Sequence, residues 1–479
     1  MQVATFRNAA LVALAFAVSA ATAAPRTGSI EVDSALARAK LPTEALVAWV
    51  QEVGVSRPRL AWQADQAVNP ASVTKLVTTY AALELLGPAW TWNTPVWLQG
   101  SVANGVLQGD LVIKGSGDPK LVLERIWLLL RRVQQLGVRE IRGDIVLDRS
   151  GFVVPEQSPA DFDGEPLRPY NVRADALLLN YRSVLLTFTP DGARGTVQVS
   201  ADPPLEGVAI DSALPLSAGP CEDWRGGLKP EFADPSRIRF GGPFPSACGE
   251  KVWPIAYAEP ASYNQRALAA MWREMGGRLG GKVRDGAAPS SPPTFELVSP
   301  TLPEAIRDIN KFSNNVMAQQ LFLTLGLADR GVGTPESARA VIRQWLFSRF
   351  GTASAGAVID NGSGLSRETR MSARLLGQLL QSAWASPVMS ELMSSLPVTG
   401  IDGTMRRSIS APGRAHLKTG SLRDVASVAG YVLGNSGRRY VVVGIVNHAN
   451  AGAGRPALEA LVQWAAQDTE AAPSATLGR

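Results

Sequence analysis

415-AHLKTGSLRDVASVAGYVLGNSGRRYVVVGIVN-447 carries three β patterns in succession: AHLKTGSL, VASVAGYVLG and RRYVVVGIVN. Asn435-Ser436-Gly437 separates the last two and is a hairpin turn signal. A helical pattern over 455–467 follows. The other end of the chain has matching texture. Residues 46–53 (LVAWVQEV) and 59–66 (RLAWQADQ) read as two strands joined by a turn over 54–58. Asn69-Pro70-Ala71 then opens a helical run, SVTKLVTTYAALELLG. Pro70 suits its first turn, Gly87 suits its stop, and Leu76, Tyr80, Leu83 and Leu86 recur at helical spacing. The simplest assembly joins the two ends in one α/β unit, an antiparallel sheet flanked by helices.

Between the ends the texture changes. From about residue 95 to about 257, short β-like runs alternate with Gly, Asp and Pro, interrupted by one helical stretch over 121–136. This reads as a β-rich excursion from the α/β unit. Helical patterns return over 263–278, 303–326, 335–349, 371–384 and 387–395, and the Pro-rich stretch 287–303 reads as a surface connection. No internal repeat is visible. At 479 residues the chain exceeds one ordinary core.

An apolar fraction of 46% and a charged fraction of 19% describe a globular protein. The formal charge of +5 is mild for this length and comes with no basic run, so nucleic acid is not an expected partner. Arg7, the apolar run LVALAFAV over 11–18 and the small residues ending Ala21-Thr22-Ala23-Ala24 have the order of a secretory signal peptide, cleaved after Ala23 or Ala24. The alternative is an uncleaved anchor, but the run is short for a span of about 20 apolar residues. No other stretch is long and apolar enough to cross a membrane. The expected location is therefore the periplasm. There the only two cysteines, Cys221 and Cys248, are expected to pair, though two buried thiols remain the alternative. Two cysteines and two histidines give no metal-ligand cluster, so neither a metal nor another cofactor is expected.

The candidate chemistry starts from a serine. A Ser-His-Asp triad needs a histidine base, and only His416 and His448 exist. His416 lies two residues before a lysine on a strand pattern and would share its face. A lysine can serve instead. Ser72 and Lys75 form S-x-x-K at a helix start, where positions i and i+3 share a face. Burial among Ala, Leu and Val would lower the lysine pKa toward a useful base. Read alone, the pair is equally an ordinary exposed lysine on an amphipathic helix. Ser313-Asn314-Asn315 interrupts a helical pattern. It reads either as an N-cap or as a proton relay (Ser313) with a substrate-amide ligand (Asn315). Lys418-Thr419-Gly420-Ser421 lies on a β pattern along which a substrate backbone could run. Lys418 would supply charge, Thr419 a hydroxyl and the Ser421 N–H an oxyanion contact. In this order the three form the set S-x-x-K, S-x-N, K-T-G.

On these motifs the chain resembles the low-molecular-mass class C penicillin-binding proteins, the D-alanyl-D-alanine carboxypeptidase/endopeptidases. The likeness extends through GDLVIKGSGDP, IRGDIVLDRSGF, PYNVRADALLLNYRS, DNGSGLSR and LPVTGIDGT. The long insertion between the first two motifs argues against the class A β-lactamases. The resemblance implies a penicillin-binding transpeptidase/β-lactamase-like α/β domain carrying two inserted β-rich domains. The expected division is a signal peptide over 1–23, the transpeptidase-like domain over 24–95 and 263–479, and insertions over 96–175 and 176–249, with a return over 250–262. It implies Ser72 as acylated nucleophile and Lys75 as its base, with Ser313, Asn315 and Lys418 completing the catalytic set. Thr419, Gly420 and Ser421 would line the substrate strand, and the N–H groups of Ser72 and Ser421 would form the oxyanion hole. Asp148 and Arg367 would read a diaminopimelate side chain. Arg423 stands where relatives carry Gln. The implied substrates are peptidoglycan stem peptides, and the implied inhibitors are β-lactams. A β-lactamase or D-amino-acid esterase on the same fold, and a non-catalytic wall-binding scaffold, are the competing readings. Nothing in the sequence sets an oligomeric state.

Overall fold

The computed structural model describes residues 30–468, and the expected signal peptide over 1–23 lies outside the described residues. Strands from both ends of the chain form one five-stranded antiparallel sheet. Its order across is Leu60–Trp62, Leu46–Glu52, Arg439–Asn447, Val425–Leu433, Ala415–Leu422. Val425–Leu433 and Arg439–Asn447 are apolar almost throughout because both faces of the sheet are covered. Val428, Val432, Val442 and Val446 pack with the helices Ile30–Arg38 and Arg455–Ala466. On the other face, Ala429, Tyr431, Val441, Val443 and Ile445 meet the helices Lys75–Leu85, Leu302–Lys311, Asn315–Arg330, Pro335–Phe350 and Ala373–Trp384. Full burial of each large aliphatic side chain contributes about 1.5–3 kcal/mol, so this sandwich is a rigid frame for whatever its edge carries.

A second unit is built on a seven-stranded sheet. Its first hairpin pairs Asn93–Ala103 with Val106–Lys114. Asn104 and Gly105 both have positive φ, as a two-residue hairpin turn requires. The helix Leu123–Gln135 then carries the chain to Ile145–Asp148, parallel to Val106–Lys114. A five-stranded and a three-stranded sheet follow, and there Cys221 and Cys248 form a disulfide.

Three expectations change here. The sequence pattern places residues from 263 in the α/β unit, yet the chain stays on the second unit through Val298. The helix Pro260–Glu274 buries Tyr263, Ala267, Leu268 and Trp272 in the second core. Arg278–Leu279 and Val283–Asp285 join the second sheet, and Phe295–Val298 pairs with Asn93–Val96. Helical spacing reveals a buried face but not the sheet it meets. The stretch 287–303 likewise contains a sheet strand rather than only a connection. The pattern over 303–326 is two helices, Leu302–Lys311 and Asn315–Arg330, broken at Ser313, whose φ is +56°. Among the described residues no helix is long and apolar enough to cross a membrane.

Candidate active site

Ser72 does not lie on the α-helix proper. It sits in a 3-10 turn, Ala71–Thr74, that feeds the helix Lys75–Leu85. Side chains at i and i+3 eclipse in that geometry, and Lys75 Nζ stands 3.0 Å from Ser72 Oγ. The turn is held from behind. Asn69 Oδ1 accepts from Ala71 N (2.9 Å), and Asn69 Nδ2 donates to Ser366 O (2.9 Å). The Asn447 side chain, at the end of a central strand, clasps the Asn69 backbone at 2.9 and 2.8 Å. Ala71, a non-glycine residue, is kept at a φ of +47°.

Lys75 is fully buried. Besides Ser72, its Nζ reaches Asn315 Oδ1 and the Ser363 carbonyl oxygen, each at 2.6 Å. Burial, with added repulsion from Lys418, pushes its pKa well below the ordinary lysine value. A neutral amine has two N–H groups and one lone pair. The two carbonyl acceptors take the N–H groups, which leaves the lone pair for the Ser72 hydroxyl. In that neutral form the amine can accept a proton from Ser72.

Lys418 is also fully buried, on the edge strand Ala415–Leu422. Its Nζ donates to Ser313 Oγ at 2.9 Å and to the Thr419 carbonyl at 2.6 Å. Burial lowers its pKa to about 7. Ser313 lies in the break between two helices, where Asn314 caps the second by accepting from Met317 N at 3.0 Å. Gly420 permits the close approach of strand and turn. A Cβ there would overlap Ser427 Oγ and come within 2.7 Å of Pro70 O and 2.9 Å of Ser72 N. The first half of the edge strand is paired outward, Leu417 N donating to Pro397 O at 2.8 Å. The second half borders an open cleft.

That cleft, of about 1010 Å³, is lined by Ser72, Ser313, Asn315, Thr419 and Ser421, with Lys75 and Lys418 buried behind it. Phe162, Asp163 and Tyr170 approach from the insertion. Neither histidine lines it. Arg367 and Arg423 do; the Arg367 guanidinium lies 4.9 Å from the Phe162 ring centroid and donates to Asp424 Oδ1 at 2.8 Å. Asp148 is the residue the fold does not bring in. It is buried at the end of Ile145–Asp148, and its carboxylate accepts from Ser150 N (2.9 Å) and Ala288 N (2.8 Å). Burial opposes its charge, but these hydrogen bonds hold its pKa below the usual carboxylate value. The expectation that Asp148 reads a substrate side chain is corrected accordingly: it is a turn residue. The acid at the cleft is Asp163, which accepts from Tyr170 Oη at 2.9 Å and Asn171 Nδ2 at 2.8 Å.

Sequence reasoning gave no role to the Ser363 carbonyl, Asn69, Asn447, Ser427 or Thr404. Thr404 Oγ1 lies 2.7 Å from Thr419 Oγ1, and Ser427 Oγ donates to Pro70 O at 2.7 Å. The only available signal was that DNGSGLSR and LPVTGIDGT are polar, Gly-rich stretches of a distinctive kind.

The chain resembles known proteins over most of its described length. The model of the D-Ala-D-Ala carboxypeptidase 3 (S13) family matches residues 29–468. A D-alanyl-D-alanine carboxypeptidase of Actinomadura sp. (strain R39) is 29% identical over 410 residues, 80% of this chain and 74% of the relative. The D-alanyl-D-alanine carboxypeptidase DacB of Haemophilus influenzae is 24% identical over 396 residues, 79% of this chain and 80% of the relative. The crystal structure of penicillin binding protein 4 from Haemophilus influenzae superimposes with a TM-score of 0.70 at 21% identity, covering 88% of this chain and 94% of that one.

Proposed function

The chain belongs to the D-Ala-D-Ala carboxypeptidase 3 (S13) family, and from that membership we propose that Ser72 is the acylated nucleophile and Lys75 its general base. The enzyme is a serine D-alanyl-D-alanine carboxypeptidase that hydrolyses peptidoglycan stem peptides through an acyl-enzyme and is acylated by β-lactams. The observation that carries the residue assignment is the 3.0 Å approach of a buried, pKa-depressed Lys75 Nζ to Ser72 Oγ at the cleft.

The stem peptide lies along the Lys418–Leu422 half of the edge strand, its terminal carboxylate at the Thr419 and Ser421 hydroxyls and the Lys418 charge. Lys75 takes the Ser72 proton. Ser72 Oγ bonds to the D-Ala-D-Ala carbonyl carbon, and the N–H groups of Ser72 and Ser421 hold the oxyanion. The C–N bond breaks as a proton reaches the departing amine through Ser313 and Lys418. Water then cleaves the ester. Asn315 orients both Lys75 and the substrate amide. Arg367, beside Phe162, meets the diaminopimelate side chain of the residue that precedes D-Ala-D-Ala.

In an endopeptidase mode the departing amine belongs to a cross-linked neighbour. The N-terminal signal pattern and the disulfide support a periplasmic location. Incubation with a D-Ala-D-Ala-terminated stem peptide tests the reading: the wild type releases D-Ala and Ser72→Ala does not. Release by the variant at wild-type rate excludes Ser72 as nucleophile.

A further inference from the structure

The cleft does not end at the edge strand. A second cavity of about 430 Å³ lies beyond it, against the N-terminal half of the helix Arg455–Ala466. Thr404, Thr419 and Ser421 line both spaces, so the two meet at these side chains. The wall opposite the helix is the segment 404–410, and it is pinned. Ala411 N donates to Gln463 Oε1 at 3.0 Å, Asp402 pairs with Lys311 at 2.6 Å, and Thr404 is tied to Thr419. The floor is apolar, with Met405, Val428, Leu458 and Val462.

The charged groups of this cavity are Arg407, Arg455 and Glu459. The two arginines are exposed and form no ion pair among the described residues. Arg455 stands where the two spaces meet, its Nη2 3.4 Å from Ser421 Oγ. Arg407 lines only the inner cavity. Two guanidinium groups against one carboxylate, over an apolar floor, suit an anionic, partly aliphatic occupant.

We propose that this second cavity is the subsite for the leaving strand of a cross-linked substrate, a carboxylate-bearing peptide attached to the departing amine. The inference rests on the proposed direction of the stem peptide along the edge strand. The leaving group departs past Thr419 and Ser421, which is where the two spaces meet. Arg455 meets the α-carboxylate beside the scissile bond, which is common to a free D-Ala and to a cross-linked residue. Arg407 meets a carboxylate further along, which only the cross-linked strand has. An enzyme that released single amino acids alone would have no use for this space.

The test uses the mature protein and two substrates that share the acyl half: a monomeric pentapeptide and a cross-linked dimer. kcat/KM is measured on both for wild type, Arg407→Ala and Arg455→Ala. Loss of one charge-assisted contact lowers the rate on the dimer about tenfold more than on the monomer in Arg407→Ala. Arg455→Ala lowers both rates, chiefly through KM. An Arg407→Ala ratio equal to that of wild type overturns the subsite, whether both rates fall together or neither falls. Wild type that cleaves only the monomer overturns the subsite and leaves the carboxypeptidase reading intact. Wild type inert on both substrates overturns that reading and the subsite with it.

Discussion

Lys418 Nζ and Ser313 Oγ lie 2.9 Å apart although 105 positions separate them in the chain. The contact fastens the edge strand to the break between two helices, and Lys75 reaches the same break through Asn315 at 2.6 Å. Two buried lysines thus share one polar pocket. Neither has a carboxylate partner among the described residues, and both lose proton affinity.

That shared pocket sets the pH dependence. The charge on Lys418 is one cause, after burial, of the low Lys75 pKa. Lys418→Gln removes it, so Lys75 keeps its proton to higher pH. The rising limb of the penicillin acylation rate against pH moves alkaline in this variant, whatever happens to its height. A limb that stays in place, or moves to acid, is incompatible with Lys75 as base.

Gly420→Ala places a methyl against Ser427 Oγ, Pro70 O and Ser72 N. Two of the three are part of the nucleophile turn or its support, so the strand must withdraw from Ser72. Displacement on the scale of an ångström costs about 100-fold in rate. Stopped-flow acylation falls by that order while the far-UV circular dichroism spectrum is retained. Near wild-type acylation contradicts the close approach of strand and turn.

Asp148→Ala separates folding from chemistry. Two part-buried backbone N–H contacts to its carboxylate are lost, those from Ser150 and Ala288. Each such contact contributes about 1 kcal/mol. Urea denaturation gives a lower midpoint, and D-Ala release per folded molecule is unchanged. A raised KM with unaltered stability would restore Asp148 to substrate recognition.

The central sheet was legible because its strands are covered on both faces. VASVAGYVLG and RRYVVVGIVN are continuous apolar runs around a turn, and Ala415–Leu422 starts and stops where its pattern does. The helix Pro260–Glu274 was legible as a helix but not as part of the second unit. Its buried face, led by Trp272, carries no mark of which sheet it meets. Among the reactive groups, Ser72, Lys75, Ser313 and Lys418 stand out because hydroxyl and amine need particular side chains at particular spacing. The Ser363 carbonyl does not, because any residue supplies one; only the fold puts it 2.6 Å from Lys75. Asp148 had the opposite problem. An acid at a strand end reads as available, yet Asp-x-Ser is also the pattern of a side chain bonded to the backbone two residues on, and the structure uses it that way.

The most direct measurement is the position of the β-lactam adduct. The protein is labelled with a fluorescent penicillin, digested, and the modified peptide sequenced by mass spectrometry. A single adduct on Ser72, absent from Lys75→Ala at neutral pH, is the expected result. An adduct on any other residue, or undiminished labelling without the lysine, contradicts the amine-activated serine on which the account stands.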